Sequence, residues 1–247
     1  MSDVVSLAPG TADPSDHLLA RLMGVIASPR ATFERIVARP RWFGAMTLIF
    51  GCLAAGQFIL LSTPSGQEAM VDQQVRRAEQ WTGTVSDAQY AAYERMAPYN
   101  RYIAAGATLV FGPITSFIVA GILLGVFNAL VGGNATYKQV LAVTTHSGAT
   151  TLLSALFTLP LNYLRGSMAS ATNFGVVTQA FLDDTSFLAR FFGMIDLFII
   201  WSVIVMAIGL AVLYRRKTAP IFWSLMGVYI GVALVVAVIM GALSGGA

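Results

Sequence analysis

Charge is scarce in this 247-residue chain: Asp, Glu, Lys and Arg together make up 11% of it, against 56% hydrophobic residues. A water-soluble globule of that length needs more polar surface to cover itself. A soluble enzyme or carrier is therefore excluded, and a protein that crosses a membrane several times is expected. The mean hydropathy of +0.71 agrees. Cysteine is nearly absent too. The single one, Cys52, lies in an apolar run, which rules out an intrachain disulfide and any cysteine-rich metal site. Neither His-Glu-x-x-His nor Gly-x-Ser-x-Gly occurs, and no nucleophile has a base at helical spacing, so no catalysis, metal or cofactor is expected. The net charge of +3 could suit a nucleic acid. The basic residues, however, sit beside apolar segments and form no stripe with interleaved aromatics, so a nucleic-acid partner is not expected.

What is present is apolar length. Five segments, 43–61, 102–131, 140–164, 191–214 and 221–243, can each cross roughly 30 Å of hydrocarbon at about 1.5 Å per residue. The second is over-long and contains Gly112-Pro113, which predicts tilt or a kink. No short pre-region with a cleavage site precedes the first, so no secretory signal is expected. The division is thus a cytoplasmic segment, 1–42, and a five-span membrane domain, 43–247, that includes an outer hairpin, 62–101. The basic approach to the first span (Arg39, Arg41) and the tight turn Arg215-Arg216-Lys217 set the orientation. They place the N-terminus in the cytoplasm of a prokaryote, the protein in its inner membrane, and the C-terminus outside.

The polar regions carry helix signals. Ser28 is a plausible N-cap with Pro29 at the first helical position, followed by Phe33, Ile36, Val37 and Pro40 at i, i+3, i+4 and i+7. This amphipathic helix either lies on the cytoplasmic membrane surface or packs on the bundle's own inner end. In the outer hairpin, Ser65 with Glu68 and Ser86 with Gln89 have capping-box spacing. Its aromatics Trp81, Tyr90, Tyr93, Tyr99 and Tyr102 suit an interfacial belt better than a ligand-facing surface. Asp183 and Asp184 are expected to begin the helix leading into the fourth span.

Within the spans, Gly121/Gly125 and Gly227/Gly231 have the spacing that lets two helices approach closely. Thr144, Ser147, Thr151, Ser154 and Thr158 form one hydroxyl seam on the third span, either a packing face or the wall of a hydrated path. His146 lies near that seam, with Asn128 of the second span as a candidate partner. Asn134-Ala135-Thr136, after Gly132 and Gly133, reads as a turn. Asp196 is expected just below the outer end of the fourth span, as a structural anchor bonded to Gln57, Asn162 or the nearby Arg165 or Arg190, in preference to a proton relay.

Three stretches together, "SPRATFERIVARPRWFGAMTLIF", "FNALVGGNATYKQVLAVTTHSGATTLLSALFTLPL" and "IDLFIIWSVIVMAIGLAVLYRRKTAP", resemble the prokaryotic branch of the Yip family, named for interaction with Ypt/Rab GTPases. The resemblance covers about residues 20 to 240, including the order of the five spans. It implies an all-α fold, a cytoplasmic N-terminus and no catalytic activity. The Asp-Leu-Tyr-Gly-Pro stretch of eukaryotic members is absent, so the resemblance does not carry GTPase binding to this chain. The expected function is a membrane scaffold or adaptor that organises lipid or an unidentified protein, with a second copy as a further candidate partner. The alternative is a small-solute or ion transporter with a polar route along the third span.

Overall fold

The computed structural model describes residues 17–178, 181–182 and 186–243. Among them there are helices and no strand. The first two helices, α1 (Leu18–Ala27) and α2 (Pro29–Ala38), meet at Ser28. They precede the first span, α3 (Phe43–Leu60), and the hairpin α4 (Pro64–Thr82) and α5 (Asp87–Met96). The second span, α6 (Asn100–Val131), is one 32-residue helix, about 48 Å long at 1.5 Å per residue. That exceeds the hydrocarbon thickness, so one end of α6 stands clear of it and carries the hairpin. The third span is split into α7 (Tyr137–Ser147) and α8 (Ala149–Arg165). After the short α9 (Gly175–Thr178) and α10 (Phe187–Met194), α11 (Leu197–Tyr214) is the fourth, and α12 (Thr218–Leu243) is the fifth. The chain is an all-α polytopic membrane protein with five helical spans. The side bearing α4 and α5 is the hairpin side; the side bearing the Arg215–Lys217 turn is the basic side.

The stripe Phe33/Ile36 is neither on a membrane surface nor exposed to lipid. Both side chains are fully buried, because α2 lies on α11 and α7, while Val37 is partly buried at the edge of the same core. The close approach is possible because Gly209 has no side chain. A Cβ there would stand 2.6 Å from Val143 and 3.1 Å from the Phe33 ring. The sequence reading missed α1 altogether, although Leu18, Leu22 and Val25 recur at helical spacing. This helix packs on α2, α7 and α8, and Leu22 and Val25 join one core with Phe33, Ile36, Ile49, Val140 and Leu210. The helices of residues 17–42 therefore pack against the spans.

Other departures have local causes. α4 is capped by Thr63, whose hydroxyl accepts from the Gly66 N–H at 3.1 Å with Pro64 in the first turn; Ser65 with Glu68 is not the cap. The Ser86–Gln89 capping box forms as expected. Among the described residues Gly121, Gly125, Gly227 and Gly231 bring no two helices together: a Cβ on Gly121 would just touch Tyr137, and the other three have no described atom within 4 Å. The close crossing of α3 and α6 uses Gly112, against which the Phe50 ring lies. Asp183 and Asp184 lie outside the described residues; Ser186 caps α10.

Candidate functional site

The hydroxyl seam survives the break at Gly148. Thr144, Ser147 and Thr151 line a cavity of about 230 Å³ between α3, α6, α7 and α11. Thr151, Ser154 and Thr158 line the next, about 400 Å³, together with Gln57 and Asn162. The two share Leu53 and Thr151. A third, about 370 Å³, lies under the hairpin, shares Gln73, Arg77 and Met168 with the second, and adds Arg76, Gln80 and Arg190. The three lie in a row, each sharing lining residues with the next, and form a cleft in three parts from an arginine-lined mouth on the hairpin side along α8 into the spans. No Asp or Glu among the described residues lines any of its three parts.

Polar atoms along the cleft are mostly satisfied by the chain itself. Gln57 Oε1 accepts from Thr108 Oγ1 at 3.2 Å, which ties α3 to α6. Asn162, with its amide nitrogen facing the two carbonyls, donates to Thr158 O at 3.2 Å and Ser167 O at 3.3 Å, closing the end of α8. Ser116 donates to Gly112 O at 3.0 Å and Ser147 to Val143 O at 2.9 Å. The Thr144 and Thr145 hydroxyl oxygens are covered by protein and have no hydrogen-bond partner among the described residues. The deep end of the cleft therefore offers carbon: the methyl and methylene faces of the seam, with Ile49, Phe50, Leu53 and Met206. At this end the Thr144 oxygen is covered by protein and the Ser147 hydroxyl is turned to the Val143 carbonyl.

His146 is fully buried in α7 and does not line the cleft. Its Nδ1 lies 2.8 Å from the Ala142 carbonyl. Since a carbonyl only accepts, Nδ1 carries the hydrogen and the neutral ring's Nε2 is left as an acceptor, without a partner among the described residues. Asn128 is not its partner. The Asn128 amide donates to Ala135 O at 3.2 Å and accepts from the Tyr214 hydroxyl at 3.1 Å, clamping the 132–136 turn to the end of α11. Buried Arg21, on α1, is a polar core residue the sequence reading passed over.

Asp196 corrects the expected bonding most clearly. It is not inside a continuous span but is the N-cap of α11. Oδ1 accepts from the Phe198 N–H at 2.8 Å and the Ile199 N–H at 3.4 Å; Oδ2 accepts from Ser170 at 2.8 Å and Thr172 at 2.6 Å. Its own N–H donates to the Tyr229 hydroxyl at 3.3 Å, and that hydroxyl donates to Met194 O. Gln57, Asn162 and the arginines are not its partners. The loop after α8 folds back over the start of α11, with Phe174 N–H donating to Ile195 O at 2.9 Å and Leu197 N–H to Thr172 O at 3.2 Å. The carboxylate is met there by hydroxyls next to it in the fold. Among the described residues no group of His, Cys, Asp and Glu could hold a metal ion.

Five helical spans, the third interrupted at Gly148 and the fourth capped at its start by Asp196, and a cleft along the third define a polytopic helical membrane protein. The Yip1 domain matches residues 23–240, and the chain belongs to that family. It is also similar to the membrane protein YknW of Bacillus subtilis (strain 168), 25% identical over 197 residues, which cover 76% of each chain. No solved structure matches significantly.

Proposed function

We propose that the chain is a Yip-family membrane adaptor without catalytic activity, which presents its hairpin to a protein partner. One observation carries this reading. α5 buries none of its residues, yet it is a complete helix with a capping box at one end. A ten-residue helix is marginal on its own in water, and α5 leans chiefly on α4 and the turn that follows it, which leaves most of its surface for a partner. Tyr90, Met96 and Tyr99, together with Trp81 on α4, are exposed. Large apolar side chains gathered on a polar hairpin suit a partner surface. They also suit an interfacial belt.

A photo-crosslinking residue at Tyr90 in intact cells tests the proposal, with one at lipid-facing Val232 as the control. A discrete protein adduct at Tyr90 alone supports the adaptor. Lipid adducts at both positions would replace it with the belt. The same reading takes the N-terminus as cytoplasmic in an inner membrane. In a Cys52→Ser background, needed because Cys52 is exposed, an impermeant thiol reagent should label Glu79→Cys and not Thr218→Cys in intact cells. The polar-route alternative draws on the row of cavities, but it is the weaker proposal because at the deep end the Thr144 oxygen is covered by protein and the Ser147 hydroxyl is turned to the Val143 carbonyl.

A further inference from the structure

The geometry points to the cleft along α8 as a binding site for one anionic phospholipid of the hairpin-side leaflet, its phosphate at Arg76 and Arg77 and one acyl chain along the seam. Three observations meet here. The first is charge. Arg76 and Arg77 are exposed at the mouth and have no hydrogen-bond or ion-pair partner among the described residues. Gln73, held by its donation to Met168 O at 3.2 Å, and Gln80 stand beside them. Guanidinium groups bind phosphate oxygens by paired hydrogen bonds, and no carboxylate among the described residues lines the cleft to compete. The second is the gradient of polarity. Arginines and amides at the mouth give way to Gln57, Asn162 and hydroxyls among leucines, and then to a deep end of Ile49, Phe50, Leu53, Val119 and Met206. A free inorganic anion gains nothing from that apolar end, and a neutral solute gains nothing from the arginines. An amphiphile uses both.

The third is length. From Leu61, in the middle part, to Ile49, at the deep end, α3 covers twelve residues, about 18 Å at 1.5 Å per residue. Half of a roughly 30 Å hydrocarbon layer is about 15 Å. Along α8 and α7 the same two parts run from Asn162 to Thr144, eighteen residues or about 27 Å, so the cleft is at least one leaflet deep; the α7 residues beyond it are buried, with α1 and α2 packed on that helix. That blind end suits a resident chain better than a passage. The site needs only the membrane location and stands whether or not the hairpin holds a protein.

Thermal stability of the purified full chain in a neutral maltoside detergent tests this. The probes are phosphatidylglycerol, phosphatidylcholine with the same acyl chains, and inorganic phosphate. Phosphatidylglycerol should raise Tm by several degrees; the other two should raise it by less than half as much. The Arg76→Gln/Arg77→Gln variant changes only exposed side chains and should keep the unliganded Tm while losing the phosphatidylglycerol increment. Ser154→Leu, which fills the middle of the cleft, should lose most of the increment with the arginines intact. If Ser154→Leu does not fold, Ala155→Leu, at a second lining position, serves instead. Equal stabilisation by the two lipids, an increment kept without Arg76 and Arg77, or one reproduced by phosphate alone would each overturn the proposal. So would an increment untouched by filling the cleft.

Discussion

Along α7 every residue from Val140 to Ser147 is buried, whereas α8, the continuation of the same span, buries only Ala149 and Thr150. Composition does not separate the two halves, since the same seam of small hydroxyl residues runs through both. What separates them is company. On the basic side α1 and α2 close over α7 and add Phe33, Ile36, Leu22 and Val25 to its packing. α8 packs on α3 and α11 and, near its start, on α1, but Leu156, Phe157 and Leu164 are exposed, and its part of the seam lines the cleft. The seam lines the cleft along both halves, closely packed on α7 and more open on α8. How deeply it is buried follows from the helices around it and not from the seam itself.

Removing the cover should have the largest effect. Phe33→Ala takes a fully buried ring out of the α2/α7/α11 contact, and such truncations cost about 3–5 kcal/mol. Leu156→Ala on α8, where the side chain is 67% exposed, should cost a small fraction of that. Thermal melts of the two variants in one detergent compare the halves directly. Equal shifts would mean that α7 and α8 are packed alike in solution.

The next effect is at the start of α11. Asp196→Ala removes the acceptor of two backbone N–H groups and two hydroxyls. Loss of a cap costs about 0.5–2 kcal/mol, and the hydroxyls left over add to it. Asp196→Asn keeps an acceptor at the cap and should lower Tm by clearly less. A smaller step again is expected from Tyr214→Phe on the basic side, where only the hydrogen bond to Asn128 is lost and the ring still stacks on Phe127 with centroids 5.4 Å apart. A change of about 0.5–1.5 kcal/mol is expected. If Asp196→Asn destabilised as much as Asp196→Ala, the negative charge and not the hydrogen bonding would be what the α11 cap requires.

The spans and their order were legible because length and hydropathy alone identify a helix that must satisfy its backbone inside lipid. The α2 stripe was legible as a stripe, but its partner was not. Phe33 meets Val143 and Gly209, more than a hundred residues later, and no spacing in the sequence announces that contact. α1 could have been found from Leu18, Leu22 and Val25; its shortness hid it from a search for spans. Thr136 with Gln139 is a capping box that the sequence displays and the turn reading overlooked. Asp196 was misplaced because an apolar run was read as continuous. The acid that interrupts it is itself the signal of a helix start. The glycine pairs misled for the converse reason: their spacing permits close approach without requiring it.

The smallest expected effect on the whole protein is at the far end of the hairpin. In Ser86→Ala, α5 loses the hydroxyl half of its capping box, in which Ser86 Oγ accepts from the Gln89 N–H at 3.3 Å, while the return bond to the Gln89 side chain at 2.9 Å comes from the backbone N–H that alanine keeps. Loss of a cap costs about 1 kcal/mol of helix stability, but α5 buries no residue, so little of that reaches the bundle's melting transition. The Tm of the purified chain should stay nearly unchanged, while amide exchange across Asp87–Met96 becomes faster as the helix opens locally. In cells, where a partner holding α5 would supply the missing stability, the crosslink at Tyr90 should weaken without disappearing. A large fall in Tm would mean that α5 is bound into the core, and the contrast between a covered basic side and an open hairpin side would then fail at its most exposed point.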